Sequence, residues 1–74
     1  MTSGEKERCR ARAAVFKALA DPVRVFVIEK IREKPCCVSE LADLAGRSEA
    51  TISKHLAVLK DAGLVAGHLE RLSL

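Results

Sequence analysis

The sequence predicts a mainly α fold of four short helices that ends in an extended segment, with the last two helices joined as a helix-turn-helix. Three observations predict it. Apolar residues recur at helical spacing in four separate stretches. Each stretch after the first opens on a capping residue, Asp21, Cys37 or Ser48. Gly46 and Gly63 stand just past the third and fourth stretches, where a helix stops most easily in a left-handed residue.

Residues 1–4 read as disordered, and residues 5–74 read as one domain. The first helix spans Glu5 to Leu19, with Cys9, Ala13, Phe16 and Ala20 on one face and Arg8, Arg10 and Arg12 facing water or phosphate. Asp21 caps the second helix, and Pro22 suits its first position because the missing amide has no partner there anyway. This helix buries Val23, Phe26, Val27 and Ile31. It ends at Lys34-Pro35, since the residue before proline is pushed out of the helical region. The third helix covers Val38 to Ala45, with Leu41, Leu44 and Ala45 as its apolar face. Cys37 and Glu40 stand where a capping box has its hydroxyl and carboxylate. The fourth helix runs from the Ser48 cap to Lys60, burying Ile52, Leu56 and Leu59, before Leu64 and Val65 restart an extended pattern.

A short glycine-containing turn between the last two helices matches a DNA-binding helix-turn-helix. In that reading Ser48, Glu49, Ala50, Thr51, Ser53 and Lys54 lie near base edges, and Arg47, His55 and Lys60 near phosphates. Periodicity alone fits a helical hairpin of an unrelated small protein equally well. The net charge of +3 permits nucleic acid without demanding it. Only Phe16 and Phe26 are aromatic, so base stacking is not the main binding mode. The polar N-terminus and the short apolar run from Val25 to Ile28 predict a cytoplasmic chain with no membrane contact. No nucleophile-base set, glycine-rich phosphate loop or carboxylate pair marks an enzyme.

Three blocks carry a resemblance. Phe16-Lys-Ala-Leu-Ala-Asp-Pro-Val-Arg24, Cys37-Val-Ser-Glu-Leu-Ala-Asp-Leu-Ala-Gly46 and Ser48 to Val65 together resemble the ArsR/SmtB family of winged-helix repressors. The resemblance implies a winged helix-turn-helix that binds double-stranded operator DNA as a homodimer. It also implies release when a metal or metalloid binds thiolates or when the thiols are oxidised. The family's two-stranded wing and last dimer helix follow Val65, where only Ala66 to Leu74 remain. The wing is therefore expected to be short or incomplete, and the last helix missing.

Three cysteines, an odd number, argue against a disulfide framework. Cys36 and Cys37 are adjacent, so their α-carbons lie about 3.8 Å apart, below the usual disulfide span of roughly 4.4–6.8 Å. At a helix start, free amides favour thiolates, and two such sulfurs form half a site for a soft ion. Family members carry Cys-Val-Cys at this helix, and alignment on Val38 places Cys37 at the first cysteine and Ser39 at the second. The resemblance admits Cys9 as a third sulfur, whereas its position beside Phe16 reads as a small buried hydrophobe. Three sulfurs suit As(III) or Sb(III) as inducer, or a soft divalent metal such as cadmium or lead. Tetrahedral zinc needs a fourth ligand. His68 has no partner at ligand spacing. Two alternatives stay open: a repressor that senses thiol oxidation or persulfidation, and a shortened module that pairs with a full-length repressor.

Overall fold

The computed structural model describes residues 1–74. The order is α1 (Ser3–Ala18), α2 (Pro22–Glu33), α3 (Val38–Ala45), α4 (Glu49–Asp61), β1 (Ala66–His68) and β2 (Arg71–Ser73). Local chemistry sets most of these boundaries. The Asp21 carboxylate accepts from the amides of Val23 (2.8 Å) and Arg24 (3.2 Å), which fixes the start of α2. The Ser48 hydroxyl accepts from the Thr51 amide at 3.1 Å and fixes the start of α4. Both glycines stop their helices with φ of 65° and 75°. At Gly63 the amides of Gly63 and Leu64 return to the carbonyls of Lys60 and Leu59, each at 2.9 Å, which satisfies two end carbonyls. The amides of Gly46 and Arg47 do the same with Asp43 and Ala42.

The core is the meeting place of α2, α3, α4 and β2. Val27, Leu41, Ile52, Leu56, Leu59 and Leu72 are its most completely buried side chains. Four expectations are corrected. α1 starts at Ser3 rather than Glu5, because Thr2 and Glu5 form a reciprocal capping box: Oγ1 accepts from the Glu5 amide at 3.1 Å, and the Glu5 carboxylate from the Thr2 amide at 2.9 Å. The apolar face of α1 is not core, since Phe16 is 72% exposed and Cys9 is exposed too. α3 packs through Val38, Leu41 and Ala42, while Leu44 is 56% exposed, because the former side of the helix is the one set against α2 and α4. Phe26 is only half-buried.

The wing, expected to be short or incomplete, forms as a short two-stranded hairpin. β1 and β2 pair antiparallel, with Ala66 opposite Ser73, Gly67 opposite Leu72 and His68 opposite Arg71. Gly67 has φ 106°, and a β-carbon there would overlap the Arg71 carbonyl oxygen, so this strand position takes glycine. The hairpin is fastened to the loop before α3. Cys36 bridges Leu72 through two backbone bonds of 3.1 and 2.7 Å, and the Leu69 carbonyl accepts from the Val38 amide at 2.7 Å.

Candidate nucleic-acid interface and thiol positions

The α3–turn–α4 unit turns one face of α4 outward. Glu49, Ala50, Lys54 and Ala57 are exposed, with Ser53 half-buried beside them. Ala50, Lys54 and Ala57 follow one another at four- and three-residue steps, so they form one stripe. Two alanines on that stripe let the helix backbone approach a partner closely, and Lys54 supplies a cation between them. Ala57 belongs to this face although the sequence reading stopped at Lys54. Its place three residues beyond Lys54, on the same helical face, is the sequence signal for it.

The structure places the remaining expected contacts unequally. Ser48 and Thr51 hydroxyls bond each other at 3.0 Å, so they are partly committed to the cap. Arg47 is exposed, and its Nη1 folds back on the Ala45 and Gly46 carbonyls at 3.3 Å. Lys60 is half-buried near the far end of α4. The chain's ion pairs are Lys30–Glu33 at 3.9 Å and Lys34–Glu40 at 3.4 Å, which leave Arg47, Lys54 and Lys60 without carboxylate partners.

His55 departs from its expected role as a free phosphate contact. Its Nδ1 lies 3.3 Å from Nη1 of Arg24. The same guanidinium donates from Nε to the Ala18 carbonyl at 2.6 Å. Arg24 therefore connects the end of α1, the start of α2 and the middle of α4. Sequence reasoning missed it, although it closes the Asp21-Pro22-Val23-Arg24 block. The Asp21 carboxyl is held below its usual range, chiefly by the Arg24 amide, then by the Val23 amide and the nearby His55 and Arg24 side chains; partial burial opposes them.

The cysteines separate rather than converge. Cys36 is 3% exposed, and its thiol donates to the carbonyls of Lys34 (3.2 Å) and Lys30 (3.7 Å). Burial pushes this thiol's pKa up, and the Glu40 carboxylate adds to the effect. It is thus built as core, contrary to the expected pair of thiolates. Cys37 is half-buried at the start of α3, with Sγ 3.1 Å from Ser39 Oγ and 3.4 Å from Glu40 Oε1. The Glu40 carboxylate also accepts from the Cys37 amide at 3.2 Å, which completes the carboxylate half of the expected capping box. That bond, the thiol and Lys34 hold the Glu40 pKa down. Cys9 lies on α1, away from the core. No three His, Cys, Asp or Glu side chains of one chain gather as a metal site. Cys9 is exposed and Cys37 is partly accessible, whereas Cys36 is buried.

Residues 21–66 match the bacterial regulatory proteins of the arsR family, and this stretch includes Asp21, Arg24 and the whole helix-turn-helix. The chain belongs to the ArsR family. Family members are transcriptional regulators, not enzymes. The chain is 39% identical over 62 residues to the HTH-type transcriptional repressor SmtB of Mycobacterium tuberculosis, a match that covers 84% of this chain and 46% of SmtB. It is 42% identical over 53 residues to a cadmium resistance regulatory protein CadC homolog of Staphylococcus aureus, covering 70% of this chain and 44% of that protein. It thus spans about half the length of these curated relatives. The crystal structure of NolR from Sinorhizobium fredii has the same fold: TM-score 0.81, 23% identity, 97% of this chain and 74% of NolR. No helix of this ArsR-family chain is long and apolar enough to cross a membrane.

Proposed function

We propose that this chain is the DNA-binding unit of a dimeric transcriptional repressor that a soft metal or metalloid releases from its operator through cysteine thiolates. One observation carries the DNA-binding part: the capped α4 turns the Ala50–Lys54–Ala57 stripe outward, with no carboxylate paired to Lys54. Glu49, Ala50, Ser53 and Lys54 face base edges, Ser48 and Thr51 hold the helix start, and Arg47 and Lys60 reach phosphates. The exposed Phe16 face of α1 supports a homodimer.

The sensing part rests on Cys37, with Cys9 as the second accessible sulfur from the same chain or from its partner copy. As(III), Sb(III) or a soft divalent metal is the inducer class, and the cadmium resistance named for the staphylococcal relative supports it. Ligation acts on binding by favouring one position of α3 over another, and α4 is docked on α3.

The experiment is selection of a 20-bp duplex from a randomised pool, followed by titration of the complex with arsenite and with cadmium. The reduced chain enriches a sequence and lets it go on addition of the ion, while Cys37→Ser binds it and does not let go. Failure to enrich any sequence overturns DNA recognition, and full release of Cys37→Ser overturns the thiol mechanism. A second reading, oxidation or persulfidation of Cys37, is supported by its accessible position at a helix start. Mass spectrometry after peroxide or polysulfide finds a modified Cys37 if this reading holds and an unmodified one if it does not.

A further inference from the structure

The contact between Arg24 and His55 lies outside both the outward face of α4 and the thiols. A guanidinium has donors only and stays protonated. The atom it meets, His55 Nδ1, must therefore accept, so His55 is neutral here and carries its proton on Nε2. His55 is half-buried, its Nε2 makes no bond within the chain, and no buried side-chain nitrogen or oxygen lacks a partner. Nε2 therefore reaches solvent, and the ring can exchange protons with it. The second arm of the guanidinium ends on the Ala18 carbonyl. One side chain thus ties α4 to the helix whose apolar face is exposed.

We propose that Arg24 is a positioning residue for the recognition helix, acting through neutral His55, and that protonation of His55 undoes this tie and weakens DNA binding. A proton on Nδ1 turns the acceptor into a donor and sets two cations face to face. From the start of α2, the Asp21 carboxylate lies near both side chains and offsets part of that repulsion. The neighbouring cleft between α1 and α4 adds Lys17 from α1 and Asp61 from α4, charges of opposite sign. None of these restores the lost acceptor. The inference rests on the operator-binding reading for its consequence, and on geometry alone for the tie.

The sign of the effect makes it testable. An added positive charge on a DNA-binding surface ordinarily tightens phosphate binding. Loss of the tie does the opposite. At fixed ionic strength, affinity for the enriched duplex is expected to fall about tenfold from pH 7.5 to 5.5, the size of a lost charge-assisted hydrogen bond. His55→Asn keeps an acceptor near the Nδ1 position and does not titrate. Whatever its affinity at pH 7.5, it is expected to stay flat on acidification. Arg24→Lys keeps the charge without the two-armed geometry and is expected to bind weakly at every pH.

On the free chain, long-range nitrogen-proton NMR at pH 8 reads the tautomer directly. The expected result is Nε2–H in the wild type and a mixture in Arg24→Lys. An Nδ1–H tautomer, a wild-type affinity that rises or stays level on acidification, or the same pH dependence in His55→Asn overturns the proposal. If the chain binds no duplex at pH 7.5, the operator reading fails, and with it the claim that the tie serves DNA binding. An Nε2–H tautomer then shows that the tie itself still forms.

Discussion

Asp21 keeps its charge because the folded chain supplies donors for it. Its carboxylate caps α2 through two amides, and its pKa lies below the ordinary 3.8. A carboxyl depressed by folding adds stability above its unfolded value, and that stability is lost as the pH falls through the lower folded value. Glu5 and Glu40, also held down by their capping bonds, act in the same direction. Urea midpoints of the wild type are therefore expected to fall steeply below about pH 4. Asn caps as well as Asp but carries no charge. Asp21→Asn is expected to be less stable than the wild type at pH 7, to lose less on acidification, and to converge with it near pH 2. An unchanged slope would show that the cap does not depend on the charge. At this scale the caps at Asp21 and Ser48 were legible, because the partner is two or three residues away. The burial of Cys36 was not, because the residue its backbone pairs with is Leu72, at the other end of the chain.

Helices and wing differ in what makes them. α2 and α4 carry their own start and stop signals, so their boundaries follow from sequence to within about a residue. The wing strands are three residues each, too short to stand as an isolated hairpin. They exist because Leu72 is fully buried and because Cys36 and Val38 bond to β2 and to the turn. No local pattern from Ala66 to Leu74 announces this pairing, and so the sequence supports only a short or incomplete wing. The turn residues, Leu69 and Glu70, bear no cation, and the Leu69 carbonyl is bonded to the start of α3. In the proposed complex, phosphate contact then falls to Arg47 and Lys60 rather than to a basic tip. Leu72→Ala is expected to cost about 2–5 kcal/mol. For a chain of 74 residues the whole stability is about 4–11 kcal/mol. Circular dichroism during a urea titration should show this variant partly unfolded without denaturant. A loss under about 1 kcal/mol would mean the wing is not coupled to the core.

The molecule measures 45 × 20 × 19 Å, with a radius of gyration of 13.5 Å. A compact chain of this length has a radius of about 11 Å. The excess comes from α1, a rod of 16 residues and about 24 Å that contributes only Ala18 to the buried core. Its apolar positions read as core because periodicity reports an apolar face and not what covers it. For the dimer proposed above, Phe16 is the anchor. Phe16→Ser is expected to leave the thermal midpoint of the isolated protomer unchanged, since no core contact is removed, and to sediment as a monomer where the wild type sediments as a dimer. A dimeric Phe16→Ser would move the interface to another face.

The seat of Cys36 under β2 makes the chain its own reporter of breathing. A buried thiol bonded to two carbonyls, on a residue whose backbone is paired with Leu72, is expected to meet an alkylating reagent when the hairpin lifts. Cys37, one residue on and partly open, meets it directly. The ratio of the two labelling rates, read peptide by peptide, is thus a ruler for how often the C-terminal edge swings away from the body. The adjacent thiol supplies the internal clock.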